Sequence, residues 1–201
     1  MASTTAAPEL RRHAVLADAL PGARVRDAVL VLSGVLLTAL LAQVAIMVPP
    51  SPVPVTGQTL AVGLVGATLG ARRGALALAL YSVLGLFLPI FADGASGWSV
   101  IWSANGGYLV GFVVAAFAIG WLAERGADRK VLTAFLAFVV GQLIVFAFGL
   151  AGLKQAVGES WSWTIHNGFS IFIVGGIVKA IVGAAVLPSA WQLARRVDRK
   201  A

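Results

Sequence analysis

Residues 49–59 read PPSPVPVTGQT, four prolines and a run of small polar residues set between two segments apolar enough to lie in hydrocarbon. Proline fixes φ and bars the residue before it from helical geometry, so one helix is predicted to end near Val48 and the next to begin around Pro54. Between them lies a stiff loop at a membrane surface. Its side chains Ser51, Thr56, Gln58 and Thr59 carry hydroxyls and amides that packing alone does not require.

The apolar flanks extend along most of the chain. Of 201 residues, 59% are hydrophobic and 11% charged, more apolar surface than a soluble domain of this size can hide. A membrane-crossing helix takes about 20 mostly apolar residues. Uncharged runs at 29–48, 54–69, 74–91, 106–123 and 131–153, with a last apolar segment at about 175–194, predict an all-α integral membrane protein with six transmembrane helices. Residues 1–28 form a cytoplasmic N-terminal tail with room for an interfacial helix. Residues 29–194 are predicted to form a single six-helix transmembrane domain, and 195–201 a basic cytoplasmic tail.

The net charge of +7 has a topological cause. Arg11, Arg12, Arg24 and Arg26 precede the first segment, Arg72 and Arg73 join the second to the third, and Arg125, Arg129 and Lys130 join the fourth to the fifth. Arg195, Arg196, Arg199 and Lys200 close the chain. With N- and C-termini cytoplasmic, all of these fall inside, as the positive-inside rule asks, so the basic balance needs no nucleic acid. Cysteine is absent, which excludes a disulfide framework and a thiolate metal site. His13 and His166 are too few for a histidine-built metal centre. Glycine-rich runs such as GLVGATLG lack the Gly-Lys-Ser/Thr ending of a phosphate loop, and no HExxH or paired intramembrane carboxylates suggest hydrolysis. What remains is a small-molecule site open to the exterior, in a chain with no energy source of its own.

Candidate site residues gather on the outer side. Residues 92–107, ADGASGWSVIWSANGG, carry Asp93, Trp98, Trp102 and Asn105; the two tryptophans read either as interface-belt residues or as a platform for an apolar ligand. The Gly106 and Gly107 amides open a helix, where backbone N–H groups suit a carbonyl or an anion. Lys179 lies within the last apolar segment, where an ionised lysine costs about 2.5–3.5 kcal/mol on insertion scales. It reads as a functional residue, or as one that snorkels to the interface. Thr56, Gln58, Tyr108, His166 and Asn167 complete the group. Gly34, Thr38 and Ala42, four apart, let a neighbouring helix approach closely in lipid, either within the bundle or from another subunit.

At these residues a resemblance becomes specific. SPVPVTGQTLAVGLVGATLGARRGALALALY at 51–81, GLFLPIFADGASG at 85–97 and GGYLVGF at 106–112 resemble the biotin-binding S component of energy-coupling factor (ECF) transporters, the BioY family. The resemblance runs from about 42 to 124 and resumes more weakly at GFSIFIVGGIVKA, 168–180. It implies a substrate-capture subunit of a bacterial plasma membrane, not itself an enzyme, with no cofactor beyond biotin as transported ligand. It also implies a transmembrane coupling (T) component and two ATP-binding-cassette ATPases as partners.

Biotin has a ureido ring with two N–H donors and one acceptor, an apolar sulfur ring, and a carboxylate on a flexible chain. The expected ligand-binding residues are Thr56, Gln58, Asp93, Trp98, Trp102, Asn105, Gly107, Tyr108 and Lys179. Asn105 and the Gly106–Gly107 amides complement the ureido edge, a tryptophan and Tyr108 cover the apolar ring, and Lys179 pairs with an anion. Gly34, Thr38 and Ala42 are the expected partner-docking face. The sequence also departs from the family: 171–176 reads IFIVGG, without the usual prolines, and the acidic position ahead of the lysine is Gly176. Asp93 is expected to supply the missing carboxylate, or else to be a solvated loop tip. The alternatives are an S component for a different small vitamin or biotin relative, an intramembrane enzyme using Lys179 or His166, and a structural membrane subunit without a ligand.

Overall fold

The computed structural model describes residues 15–19 and 24–198. Six helices of twelve residues or more occur among them: α1 Arg24–Ala42, α2 Gln58–Leu69, α3 Ala71–Leu84, α5 Gly106–Glu124, α6 Val131–Val157 and α8 Ile173–Asp198. The short helices α4, Trp98–Ile101, and α7, Trp161–Gly168, cap one end of the bundle, beside a two-stranded ladder of β1, Ala45–Ile46, and β2, Val55–Thr56. Four stretches are long and apolar enough to cross a membrane: Val25–Ala42, Gly106–Glu124, Val131–Val157 and Trp161–Ala194.

The proline loop is wider than predicted. α1 ends at Ala42 rather than near Val48, and α2 begins at Gln58 rather than at Pro54. Residues 43–57 instead fold back as a hairpin in which Ala45 pairs with Thr56 and Ile46 with Val55. The Ser51 hydroxyl donates to Val53 O at 3.0 Å and accepts from Val53 N, so this polar side chain closes the turn. α3 likewise stops at Leu84, seven residues short of the predicted 91. At Gly85, just past its end, a Cβ would lie 2.2 Å from the Phe91 ring, which folds back over the helix end and leaves room only for glycine.

Small residues set the helix spacing. α5 is the central helix, packed on α2, α3 and α6. A Cβ at Gly66 would lie 2.7 Å from Ala116 O, one at Gly120 would lie 2.4 Å from Ala71 N, and one at Gly107 would lie 2.4 Å from Phe148 O. With no hydrophobic force between helices in lipid, such backbone-to-backbone approaches hold the bundle together. The Gly34, Thr38, Ala42 stripe faces the interior of the bundle. Gly34 abuts Ala77, Val65 and Leu69, while Thr38 and Ala42 are fully buried.

Because the chain runs up and down, charge collects at one end. Arg73 bridges Asp18 at 2.9 Å and Asp27 at 3.3 Å, tying residues 15–19 to α1 and α3. Glu124 accepts from Ala71 N, and Trp191 of α8 donates to Asp128 in the α5–α6 turn. The rest of the predicted N-terminal tail, apart from the start of α1, and residues 199–201 lie outside the described residues.

Candidate ligand-binding site

The opposite end holds a cavity of about 70 Å³, partly open at the protein surface. Its floor and walls are aromatic: Phe91, Phe112, Phe146 and Phe172 with Tyr108. Tyr108 meets Phe146 edge-on with ring centroids 6.3 Å apart, and Phe146 meets Phe169 the same way at 5.0 Å. These packed rings make a rigid apolar surface of the kind that holds a small organic molecule.

Polar groups enter at chosen points. Thr56 leaves β2 with its hydroxyl 2.9 Å from Gln58 Oε1, and Gln58 Nε2 donates to the Tyr81 hydroxyl at 2.8 Å. Tyr81 in turn donates to Ile90 O at 3.0 Å, so this relay fixes the start of α2 against the loop that follows α3. Tyr108 donates to Gly168 O at 2.8 Å, tying α5 to the end of α7. Lys179 reaches across from α8 and donates from Nζ to Thr59 Oγ1 at 2.9 Å. It is the only charged residue that lines the cavity among the described residues.

Of the expected ligand-binding residues, the structure brings Thr56, Gln58, Asn105, Tyr108 and Lys179 to this cavity. Trp98 and Trp102 are 61% and 79% exposed on the outer surface of α4 and do not line it. Asp93 stands at an exposed loop tip with φ 55°, while Ala92 and Ala95 on either side of it turn toward the cavity. Gly107 faces Phe148 and Gly152 in the α5–α6 contact, away from the ligand space. His166 is exposed on α7, and the neighbouring Asn167 is buried with Nδ2 donating to Trp163 O at 3.0 Å. Among the described residues no group of three or more His, Cys, Asp or Glu is placed to hold a metal ion.

Thr59, singled out with the proline loop, also lines the cavity, as do Gln142 and the phenylalanines, which are not among the expected site residues. A lone amide in the middle of an apolar 27-residue helix was the available signal for Gln142. The phenylalanines gave none, because apolar residues in membrane helices are the background.

The comparisons with known proteins agree with one another. The BioY family model matches residues 11–196. The chain is 38% identical to a biotin transporter, BioY2, of Lactococcus lactis subsp. cremoris, over 76% of this chain and 83% of that one. It is 35% identical to a biotin transporter, BioY, of Rhizobium etli, over 74% of this chain and 87% of that one. Among solved structures, the S-component for biotin from an ECF-type ABC transporter superposes with a TM-score of 0.74 at 19% identity, covering 86% of this chain and 95% of that one. With the family model spanning nearly the whole bundle, this chain is a membrane protein that belongs to the BioY family.

Proposed function

We propose that this chain is the biotin-binding substrate-capture subunit of an ECF-type vitamin uptake transporter. It binds biotin from the outer face and hands it inward, as a transport subunit rather than an enzyme. The observation that carries the reading is the cavity itself: aromatic walls with one ammonium, Lys179, and neutral amides at Asn105, Gln58 and Gln142. That inventory suits an apolar bicyclic molecule with one anionic arm and a neutral hydrogen-bonding ring. Lys179 takes the carboxylate, Asn105 the ureido carbonyl, and the Tyr108–Phe146 face the sulfur ring.

The chain has no nucleotide-binding motif, so transport draws on a T component and two ATP-binding-cassette ATPases. The six long helices cross the bacterial plasma membrane with N- and C-termini inside, the basic end cytoplasmic and the cavity outside. Because the sequence contains no cysteine, single Ser96→Cys and Gly126→Cys variants test this orientation. An impermeant maleimide added to intact cells is expected to label the first and not the second.

Equilibrium binding of labelled biotin to the purified subunit tests the function. Saturable binding near one per chain, displaced by unlabelled biotin, is expected. Absence of biotin binding with capture of another vitamin would move the chain to a different ligand. Chemical conversion of the ligand would favour an intramembrane enzyme.

A further inference from the structure

Gln142 lies near the middle of α6, where an unsatisfied amide in hydrocarbon is unfavourable. One half of that amide is accounted for: Nε2 donates to Gly176 O at 2.8 Å, which fixes the orientation of the group and anchors α6 to α8. The other half has no partner among the described residues, and the residue lines the cavity. Gly176 makes the arrangement possible, because a Cβ there would fall 2.3 Å from Gln142 Oε1. Any larger residue at 176 displaces the amide. The cavity contains no carboxylate among its lining residues, so acceptors on its walls are scarce.

We infer that Gln142 Oε1 is the acceptor for the ligand's ring N–H and sets the cavity's preference for a cyclic urea. The inference rests on the biotin reading of the site. Biotin's only N–H donors in its ionised form are those of the ureido ring, so an acceptor with both lone pairs free is matched by that ring and by no other part of the molecule. Asn105 lines the same cavity from the start of α5 and supplies donors for the ureido oxygen. Lys179 follows Gly176 by three residues on one face of α8, so the Gln142 amide, reaching across from α6 to Gly176 O, and the Lys179 stem meet neighbouring turns of that face. The ring is thereby read by neutral amides while the anion is held separately. A neutral acceptor also avoids leaving a charge in a site whose one cation is needed for the carboxylate.

The test is binding of biotin and of a biotin analogue methylated on the ureido nitrogens, measured calorimetrically for the wild type, Gln142→Leu and Gln142→Glu. Gln142→Leu is expected to weaken biotin binding about tenfold or more, since the ring N–H is then buried without an acceptor. The same substitution is expected to change binding of the methylated analogue by less than about threefold, and Gln142→Glu, which keeps an acceptor at that place but adds a charge that competes for Lys179 and loses the donor to Gly176 O, to recover only part of the biotin affinity. Equal losses for both ligands would overturn the inference, because they would mean that Gln142 only positions Gly176. Unchanged biotin affinity in Gln142→Leu would overturn it too, while leaving the biotin reading intact. Failure of the wild type to bind biotin at all would instead sink the reading on which it rests. Thermal unfolding midpoints of the variants separate lost binding from lost fold.

Discussion

The two ends of the bundle use polar groups in opposite ways. At the basic end, charged side chains are bound to one another or to the chain: Arg73 to Asp18 and Asp27, Glu124 to Ala71 N, and Arg125 to Trp121 O with its guanidinium 3.5 Å above the same indole. At the cavity end, Asn105, Gln142 and Lys179 reach a space that protein atoms do not fill. Both ends are held by glycine contacts between helices, yet one end is closed and the other hollow. Polarity in a membrane bundle is therefore informative only together with what surrounds it. The cluster richest in charge serves assembly, and the proposed site is the place with a single cation.

The largest expected effect tests the closed end. Gly120→Val places a side chain where a Cβ already meets Ala71 N at 2.4 Å and Gly70 C at 2.4 Å, with backbone on the far side and nothing flexible to yield. Overpacking of this kind destabilises by about 3 kcal/mol. The variant should be recovered poorly and unfold at clearly lower temperature. A normal unfolding midpoint would show that the α3–α5 approach is looser than described.

Next in size is the cavity's cation. Lys179→Ala should weaken biotin binding more than tenfold, because the substitution leaves a carboxylate without its counter-charge. Its unfolding midpoint should change little, since Lys179 is held by one bond to Thr59 rather than by a network. Unchanged affinity in titration calorimetry would return Lys179 to a merely tolerated residue.

How much of this was legible in the sequence depended on punctuation. α5 and α6 begin where predicted, at 106 and 131, because Asn105-Gly106-Gly107 and the Arg129-Lys130 pair interrupt otherwise uniform apolar runs. The end of α1 was not legible. Residues 43–48 are as apolar as the helix before them, and only the return of the chain through the prolines, with strand pairing to residues 55–56, takes them out of it. The small-residue stripe on α1 was visible but not its partner, since spacing alone does not say whose helix fills the groove. The same limit applied to the tryptophans, whose composition fits a belt and a platform equally.

That ambiguity gives a smaller test, in which no effect is the expected result. Trp98→Ala, Trp102→Ala and Asp93→Asn should each leave biotin affinity within about threefold of the parent, because these side chains stand outside the cavity. A tenfold loss in any of them would mean that the α4 segment closes over bound ligand, bringing the exposed rings into the site.

The smallest effect lies at the basic end, where Asp128 is 1% exposed and its Oδ1 has no hydrogen-bond partner among the described residues. Burial pushes its carboxyl above the ordinary 3.8, although the Trp191 N–H and the Arg129 charge pull the other way. A raised value in the folded state means that the folded chain holds a proton over a window that opens near 3.8 and closes at the raised value. Stability from this group is therefore greatest at the acid side, falls as pH climbs through that window, and stays level above it. Asp128→Asn keeps an oxygen for Trp191 and cannot ionise, so its unfolding midpoint should lack this group's share of the decline. Identical pH profiles for the two proteins would mean that the carboxylate finds water when charged, and that the closed end is wetter than its packing implies.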